Sequence, residues 1–353
     1  MRHRLKDSEL TYPVTSDHGL NLVAIGGGTG LSTLLAGLKR LVGRRDTDET
    51  WIENLSAIVT VSDDGGSSGR LREELQMLPP GDIRNCMIAL SEDSTLLSRL
   101  FQYRFRGAGG LGGHSFGNLF VAALSEVTGD FVEAVRLSSE VLASKGHIYP
   151  ATINDVRLVA TLNDGTVVRG ETQISASRSG IRSLHLEPEQ CLPLPETLAA
   201  IRAADVITVG PGSLYTSILP NLLVAKVARV IGESSATKIF ICNLMTQPGE
   251  TDGYTARQHL ETVKNYAPEI HFDYVIVNSR RIEADQAVRY EAEGAHQIGL
   301  ADDSFDTAIA SDTEIVRADL LDAGEKVRHS SERLARVVIA CREHVQLAPS
   351  IST

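Results

Sequence analysis

The sequence predicts an α/β fold, a Rossmann-like, doubly wound and mostly parallel sheet with a small antiparallel β excursion. Three observations predict it. Short β-branched apolar runs alternate with stretches of helical period along most of the chain, as in a parallel sheet joined by crossover helices. The runs are apolar throughout instead of alternating, as strands covered on both faces are. Two runs break into glycine turns with a helical start behind them, Gly26-Gly27-Gly28-Thr29-Gly30 and Gly210-Pro211-Gly212-Ser213.

Composition narrows the class. The chain has 353 residues, 42% hydrophobic and 22% charged, ordinary values for a globular protein. A net charge of −11 argues against nucleic acid as a partner but leaves room for a local anion site. Cys86, Cys191, Cys242 and Cys341 are scattered with no C-x-x-C, so free thiols in a reducing cytoplasm are expected. No apolar run reaches the ~20 residues of a membrane span. Residues 1–20 lack the apolar core of a signal peptide and read as a loose tail, as do residues 346–353. Residues 21–345 read as a single domain.

The first strand is Leu22-Val23-Ala24-Ile25, and Leu31, Leu34, Leu35, Leu38, Leu41 and Val42 follow the turn at helical spacing. A P-loop needs Lys after the last glycine, where Leu31 stands, and neither register of G-x-G-x-x-G is completed. What remains is a turn that presents backbone N–H groups and a helix N-terminus to an anion. After a polar connection over 43–53, residues 55–61 form the second strand, running into Asp63-Asp64-Gly65-Gly66 and a helix over 68–77. Asp82 reads as the N-cap of the next helix. A helix over 94–105 precedes the glycine-rich stretch 107–118, a lid, a close-approach loop or a surface linker, whose His114 reads as a structural turn histidine with a proton shuttle as the alternative. Helices over 116–127 and 130–144 follow.

Asn163-Asp164-Gly165 between the runs 156–162 and 166–172 signals a hairpin. With a third strand over 181–186 it makes an excursion over about 151–191. The α/β pattern then resumes. Strands are expected at 205–209, 238–242 and 274–277, with an edge strand inside 312–320. Helices are expected at 195–203, 253–266, 281–293 and 331–345.

Three clusters converge at the carboxyl edge of such a sheet: Gly26, Gly27, Gly28, Thr29 and Gly30; the acids Asp63, Asp64 and Asp82; and Gly210, Gly212, Ser213 and Tyr215. A glycine turn opposite carboxylates suits a nucleotide or phosphosugar. Mg2+ held by Asp63 and Asp82 would bridge acid and phosphate; the alternatives are hydrogen bonds from the acids to sugar hydroxyls, or turn chemistry alone. The same three acids are the catalytic candidates. Arg70 and Arg84 would pair with them or bind phosphate, whereas Arg72 reads as a solvated helix residue. Asn243 and Thr246 lie in a polar loop after a strand, a further crevice wall.

In order, the chain carries Ala24-Ile25-Gly26-Gly27-Gly28-Thr29-Gly30-Leu31-Ser32, Val61-Ser62-Asp63-Asp64-Gly65-Gly66-Ser67-Ser68-Gly69-Arg70 and Pro79-Pro80-Gly81-Asp82-Ile83-Arg84-Asn85. Gly113-His114-Ser115-Phe116-Gly117-Asn118, Gly210-Pro211-Gly212-Ser213-Leu214-Tyr215-Thr216-Ser217 and Asn243-Leu244-Met245-Thr246-Gln247-Pro248-Gly249-Glu250-Thr251 follow. Together these resemble the YvcK family of gluconeogenesis factors, in one superfamily with the CofD 2-phospho-L-lactate transferases. The resemblance covers about residues 21–340. It implies a cytoplasmic protein that binds a UDP sugar such as UDP-N-acetylglucosamine. It also implies a role in cell shape and cell-wall (peptidoglycan) precursor control on gluconeogenic carbon sources, with regulatory proteins as partners. A homo-oligomer is expected. The resemblance assigns ligand binding to Tyr290 and Arg328, for which helix packing and a surface charge are the alternatives. It also matches Asp63 or Asp64, and Asp82, to the metal-holding acids of the transferases. Arg84 beside Asp82 and an aromatic content of only 5% depart from the transferase pattern. A ligand-binding regulator is therefore the leading expectation, and a metal-dependent phosphotransferase the alternative.

Overall fold

Leu20–Gly26 forms β1, the central strand, because all but one of its residues are buried between two layers. The computed structural model describes residues 19–44, 50–92, 96–299 and 313–347. Both expected tails fall almost wholly outside them, as does the start of the 312–320 segment. The main sheet adds β2 (Ile52–Val59) and β3 (His147–Pro150). The excursion supplies β4 (Arg157–Leu162), β5 (Val167–Arg169) and β6 (Ile181–Glu187). The main sheet then resumes with β7 (Val206–Val209), β8 (Thr237–Ile241), β9 (Tyr274–Asn278) and β10 (Glu314–Ala318).

The seven-stranded order is β10-β9-β8-β7-β1-β2-β3, and every pairing in it is parallel. Strand order therefore runs outward in one direction from β1 and in the other from β7. The β1–β7 boundary is the switch point at which open α/β sheets bind ligands. The excursion is a three-stranded antiparallel sheet, β5-β4-β6, and one hydrophobic cluster runs through both sheets.

The helices are α1 (Gly28–Leu38), α2 (Gly66–Leu75), α3 (Gly81–Leu90), α4 (Leu96–Gln102), α5 (Phe116–Thr128) and α6 (Phe131–Val141). Then come α7 (Glu171–Ala176), α8 (Pro195–Ala203), α9 (Leu219–Leu223), α10 (Val227–Glu233), α11 (Ala256–Tyr266), α12 (Ala284–Ala292) and a last helix, α13 (Ser331–Leu347). A π turn, Leu214–Ile218, leads into α9. All four cysteines are free and buried. Among the described residues no single helix is long and apolar enough to cross a membrane.

The structure corrects several expectations. α1 begins inside the glycine turn, at Gly28, ahead of Leu31, the first apolar position at helical spacing. α3 begins at Gly81 with Pro80 at its cap, so Asp82 sits in the first turn and does not cap the helix. β3 is absent from the sequence pattern; Pro150 is tolerated because β3 lies at the sheet edge, where a missing N–H breaks no ladder. The hairpin's second strand stops at Arg169, and Glu171–Ala176 is helical where the pattern carries strand to residue 172.

Candidate functional site

The two glycine turns meet at the switch point. A Cβ on Gly30 would come within 2.4 Å of the Pro211 carbonyl oxygen, and one on Gly27 within 2.8 Å of Asp82 Oδ2. Both positions require glycine for close approach. At Gly27 the backbone itself is extended, with φ −170°, and makes no such demand. Gly212 lies against Gly27, its virtual Cβ 3.4 Å from the Gly27 oxygen.

α1 has no side-chain cap and no acid in its first turn. Its leading N–H groups need partners, and the Gly28 N–H finds the Asp82 carboxylate. Thr29 and Gly30 face a cavity of about 430 Å³. The second turn contributes differently from the expectation. The Gly212 N–H is already given to Asn243 Oδ1 at 3.1 Å. The Ser213 hydroxyl donates to Glu250 Oε2 at 2.6 Å and accepts from the Thr216 N–H at 3.3 Å. That turn is a wall of the cavity, and its best donors are spent on the fold.

The cavity gathers Thr29, Gly30, Gly212, Ser213, Asn243, Thr246, Tyr290 and Arg328, most of the residues expected to bind ligand. Tyr290 stands on α12, and its hydroxyl accepts from the Val327 N–H at 3.1 Å. This bond fixes the ring and ties α12 to the segment that carries Arg328, an exposed residue. Tyr215 is not there. It is buried, and its hydroxyl is 3.0 Å from that of Tyr254, so it serves the core.

The acids lie on the other side of the glycine turn, and none of the three lines this cavity. Burial, then the neighbouring Asp63, pushes the Asp82 carboxyl up to about 6. Asp63 Oδ1 accepts from the Gly65 N–H at 2.8 Å. Asp64 does something else: its Oδ1 accepts from the Thr172 N–H at 2.8 Å and the Thr172 hydroxyl at 2.7 Å. The N-cap of α7 is Gly170, at φ 93° with no side chain to offer. Asp64, far away in sequence, takes the capping role and docks the excursion onto the main sheet.

Two further acids in this region escape the sequence pattern. Glu171 is pushed well above the carboxylate range by burial and by the surrounding Asp82, Asp63, Glu250 and Asp64, and its Oε2 is buried without a partner. Glu250 is buried and joins Ser175 to Ser213. Nothing local marks them, since residue 171 sits in an apparent strand and residue 250 in a turn. Among the described residues, no three His, Cys, Asp or Glu side chains are grouped to hold a metal ion. Were Mg2+ bound with phosphate and water, Asp63 and Asp82 are the carboxylates that would hold it.

The arginines and the glycine-rich loop are also reassigned. Arg72 is 3% exposed, pairing with Asp155 at 2.5 Å and donating to the Val156 carbonyl at 2.6 Å, so it is no solvated residue. Arg70 donates to the Gly112 carbonyl at 2.8 Å and Arg84 to the Ser115 hydroxyl at 2.5 Å. His114 is buried, its Nδ1 3.0 Å from the Ser67 hydroxyl. The loop 107–118 is thereby pinned against α2 and α3, and His114 holds it there.

These features define a parallel α/β protein with two glycine turns meeting at its switch point. The family model described as 2-phospho-L-lactate transferase CofD matches residues 22–321. A protein named gluconeogenesis factor from Halalkalibacterium halodurans is 43% identical over 90% of this chain and 95% of its own length. One of the same name from Bacillus subtilis is 44% identical over 90% of this chain and 96% of its own. A crystal structure of a protein from Bacillus halodurans superposes with a TM-score of 0.84 at 41% identity, covering 91% of this chain and 99% of that one. The chain belongs to the CofD-like superfamily and, within it, to the YvcK family of gluconeogenesis factors.

Proposed function

We propose that the protein is a cytoplasmic regulator that binds a UDP sugar of the UDP-N-acetylglucosamine type in the switch-point cavity. One observation carries the reading: Thr29 and Gly30 of the first turn of α1, Tyr290 and Arg328 all line one space of about 430 Å³, within the size range of small-molecule sites. The first turn of α1 and the Arg328 guanidinium receive the diphosphate. The Tyr290 ring stacks on the uracil, and Asn243 and Thr246 take hydroxyls of the sugars. As a gluconeogenesis factor it would couple this ligand to cell shape and cell-wall precursor supply on gluconeogenic carbon sources, acting on regulatory proteins as a homo-oligomer. Calorimetry with UDP-N-acetylglucosamine tests the binding. Tyr290→Ala and Arg328→Ala are each expected to weaken it about tenfold, in line with ~1–2 kcal/mol per lost stacking or charge-assisted contact. No heat of binding to the unaltered protein at millimolar ligand removes the reading.

A second reading, metal-dependent phosphotransfer, is favoured by the pressure that the Asp63 charge puts on the buried Asp82. A cation between them would relieve it and neutralise phosphate charge. It predicts Mg2+-dependent product formation that Asp63→Asn abolishes; product formation indifferent to chelator overturns it.

A further inference from the structure

We infer that the protein has a second ligand site, beside the first, that takes a sugar phosphate. A separate cavity of about 540 Å³ lies between α1, α3 and the amino end of α13. It shares a ridge with the switch-point cavity, made of Thr29, Thr33, Arg328 and His329, which line both.

The lining chooses the ligand class. Arg40, just beyond α1, and Arg328 supply two guanidiniums, and Ser331 opens a 17-residue helix with Glu332 in its first turn and the Arg333 N–H given to the Ser330 hydroxyl at 3.5 Å. Two guanidiniums beside a helix amino end suit a phosphate group. The rest of the wall is mostly polar, with an apolar strip of Ala36, Ile88 and Ala89. Asn85, Gln102 and Asp322 offer hydrogen-bonding groups suited to hydroxyls. Glu332 also lies there, shared between Arg40 at 3.6 Å and Arg336 at 2.7 Å, so its charge and part of that of Arg40 are already matched. A phosphate at one end and a polyol along the other wall is the chemistry of a sugar phosphate.

An independent observation points to a missing partner. His329 is 8% exposed, and its Nε2 is buried with no hydrogen-bond partner. Burial holds its imidazole down to about 4, so the ring is neutral near pH 7. A buried ring nitrogen left unpaired is costly, and His329 stands on the ridge where it lines both cavities.

The two sites share Arg328, so they are told apart by Arg40, which lines only the second cavity, and Tyr290, which lines only the first. Calorimetry with glucose 6-phosphate and fructose 6-phosphate, against glucose and inorganic phosphate, tests it on the full chain. At least one hexose phosphate is expected to bind below 1 mM, more tightly than inorganic phosphate or glucose. Arg40→Ala is expected to weaken it at least tenfold and leave UDP-N-acetylglucosamine within about twofold, while Tyr290→Ala does the reverse. Arg40 is half exposed, so its loss leaves the fold intact, and an unchanged melting temperature checks this. No binding by either hexose phosphate at 10 mM overturns the inference. So does binding that survives Arg40→Ala, binding lost in Tyr290→Ala, or affinity no better than that of phosphate alone.

Discussion

Asp82 shows how one residue serves the glycine turn at a cost. Its carboxylate receives the Gly28 N–H, yet burial and Asp63 raise it to about 6 from an ordinary 3.8. The folded state holds this proton longer than the unfolded chain does, so its contribution to stability falls as pH rises from about 4 to about 6. Asp82→Asn keeps an acceptor for Gly28 and removes the penalty. The variant's stability advantage is expected to be near zero at pH 4 and to grow to at most about 3 kcal/mol by pH 7, since each tenfold change in proton affinity is worth about 1.4 kcal/mol. Denaturant melts at several pH values measure it, and a constant difference across pH removes the argument. His329 acts in the opposite direction. Its depressed value near 4 makes stability rise with pH between about 4 and 6.5, so the variant exposes a rise that Asp82 masks in the unaltered protein.

α7 is the element least visible in the sequence and the one on which the excursion's docking depends. Its cap comes from Asp64, across the boundary between the two sheets, and its Ser175 reaches Glu250 at 2.8 Å. Asp64→Ala is expected to cost about 1–2 kcal/mol, the range of a lost N-cap, and to speed amide exchange in 171–176 while β1 stays protected. Unchanged exchange there refutes the capping role. The same case shows what the sequence can and cannot tell. β1, β2 and β7 to β9 are legible because strands buried on both faces are continuous apolar runs, and the site's place follows from their order. α7 is not, because six polar-mixed residues carry no usable period and their cap lies over a hundred positions away. Arg72 and Tyr215 mislead for the same reason: residue type suggests solvent or ligand, and only tertiary packing supplies Asp155 and Tyr254. Tyr290 and Arg328 are legible only through the family resemblance, and the structure sets both around the cavity.

In the whole molecule, the last helix closes over the first. A Cβ on Gly37 of α1 would lie 1.9 Å from the Ser331 carbonyl oxygen and 2.9 Å from the Ala335 side chain. Gly37→Ala is therefore expected to lift the start of α13 at a cost of about 1–3 kcal/mol, typical of overpacking. It lowers the melting temperature by several degrees and deforms the wall that Ser331 contributes to the second cavity. A melting temperature equal to that of the unaltered protein contradicts this packing.

The sheet order also governs how the chain can be made. β1 is synthesised early and lies in the middle, yet its second neighbour, β7, begins only at Val206. At ribosomal rates of ~5–20 residues per second, β1 waits on the order of 10–40 s with one edge unpaired. That bare edge is a template for unwanted pairing. A nascent polypeptide halted before Val206 will be a client for chaperones, and one released after Val209 will not need them to shield that strand.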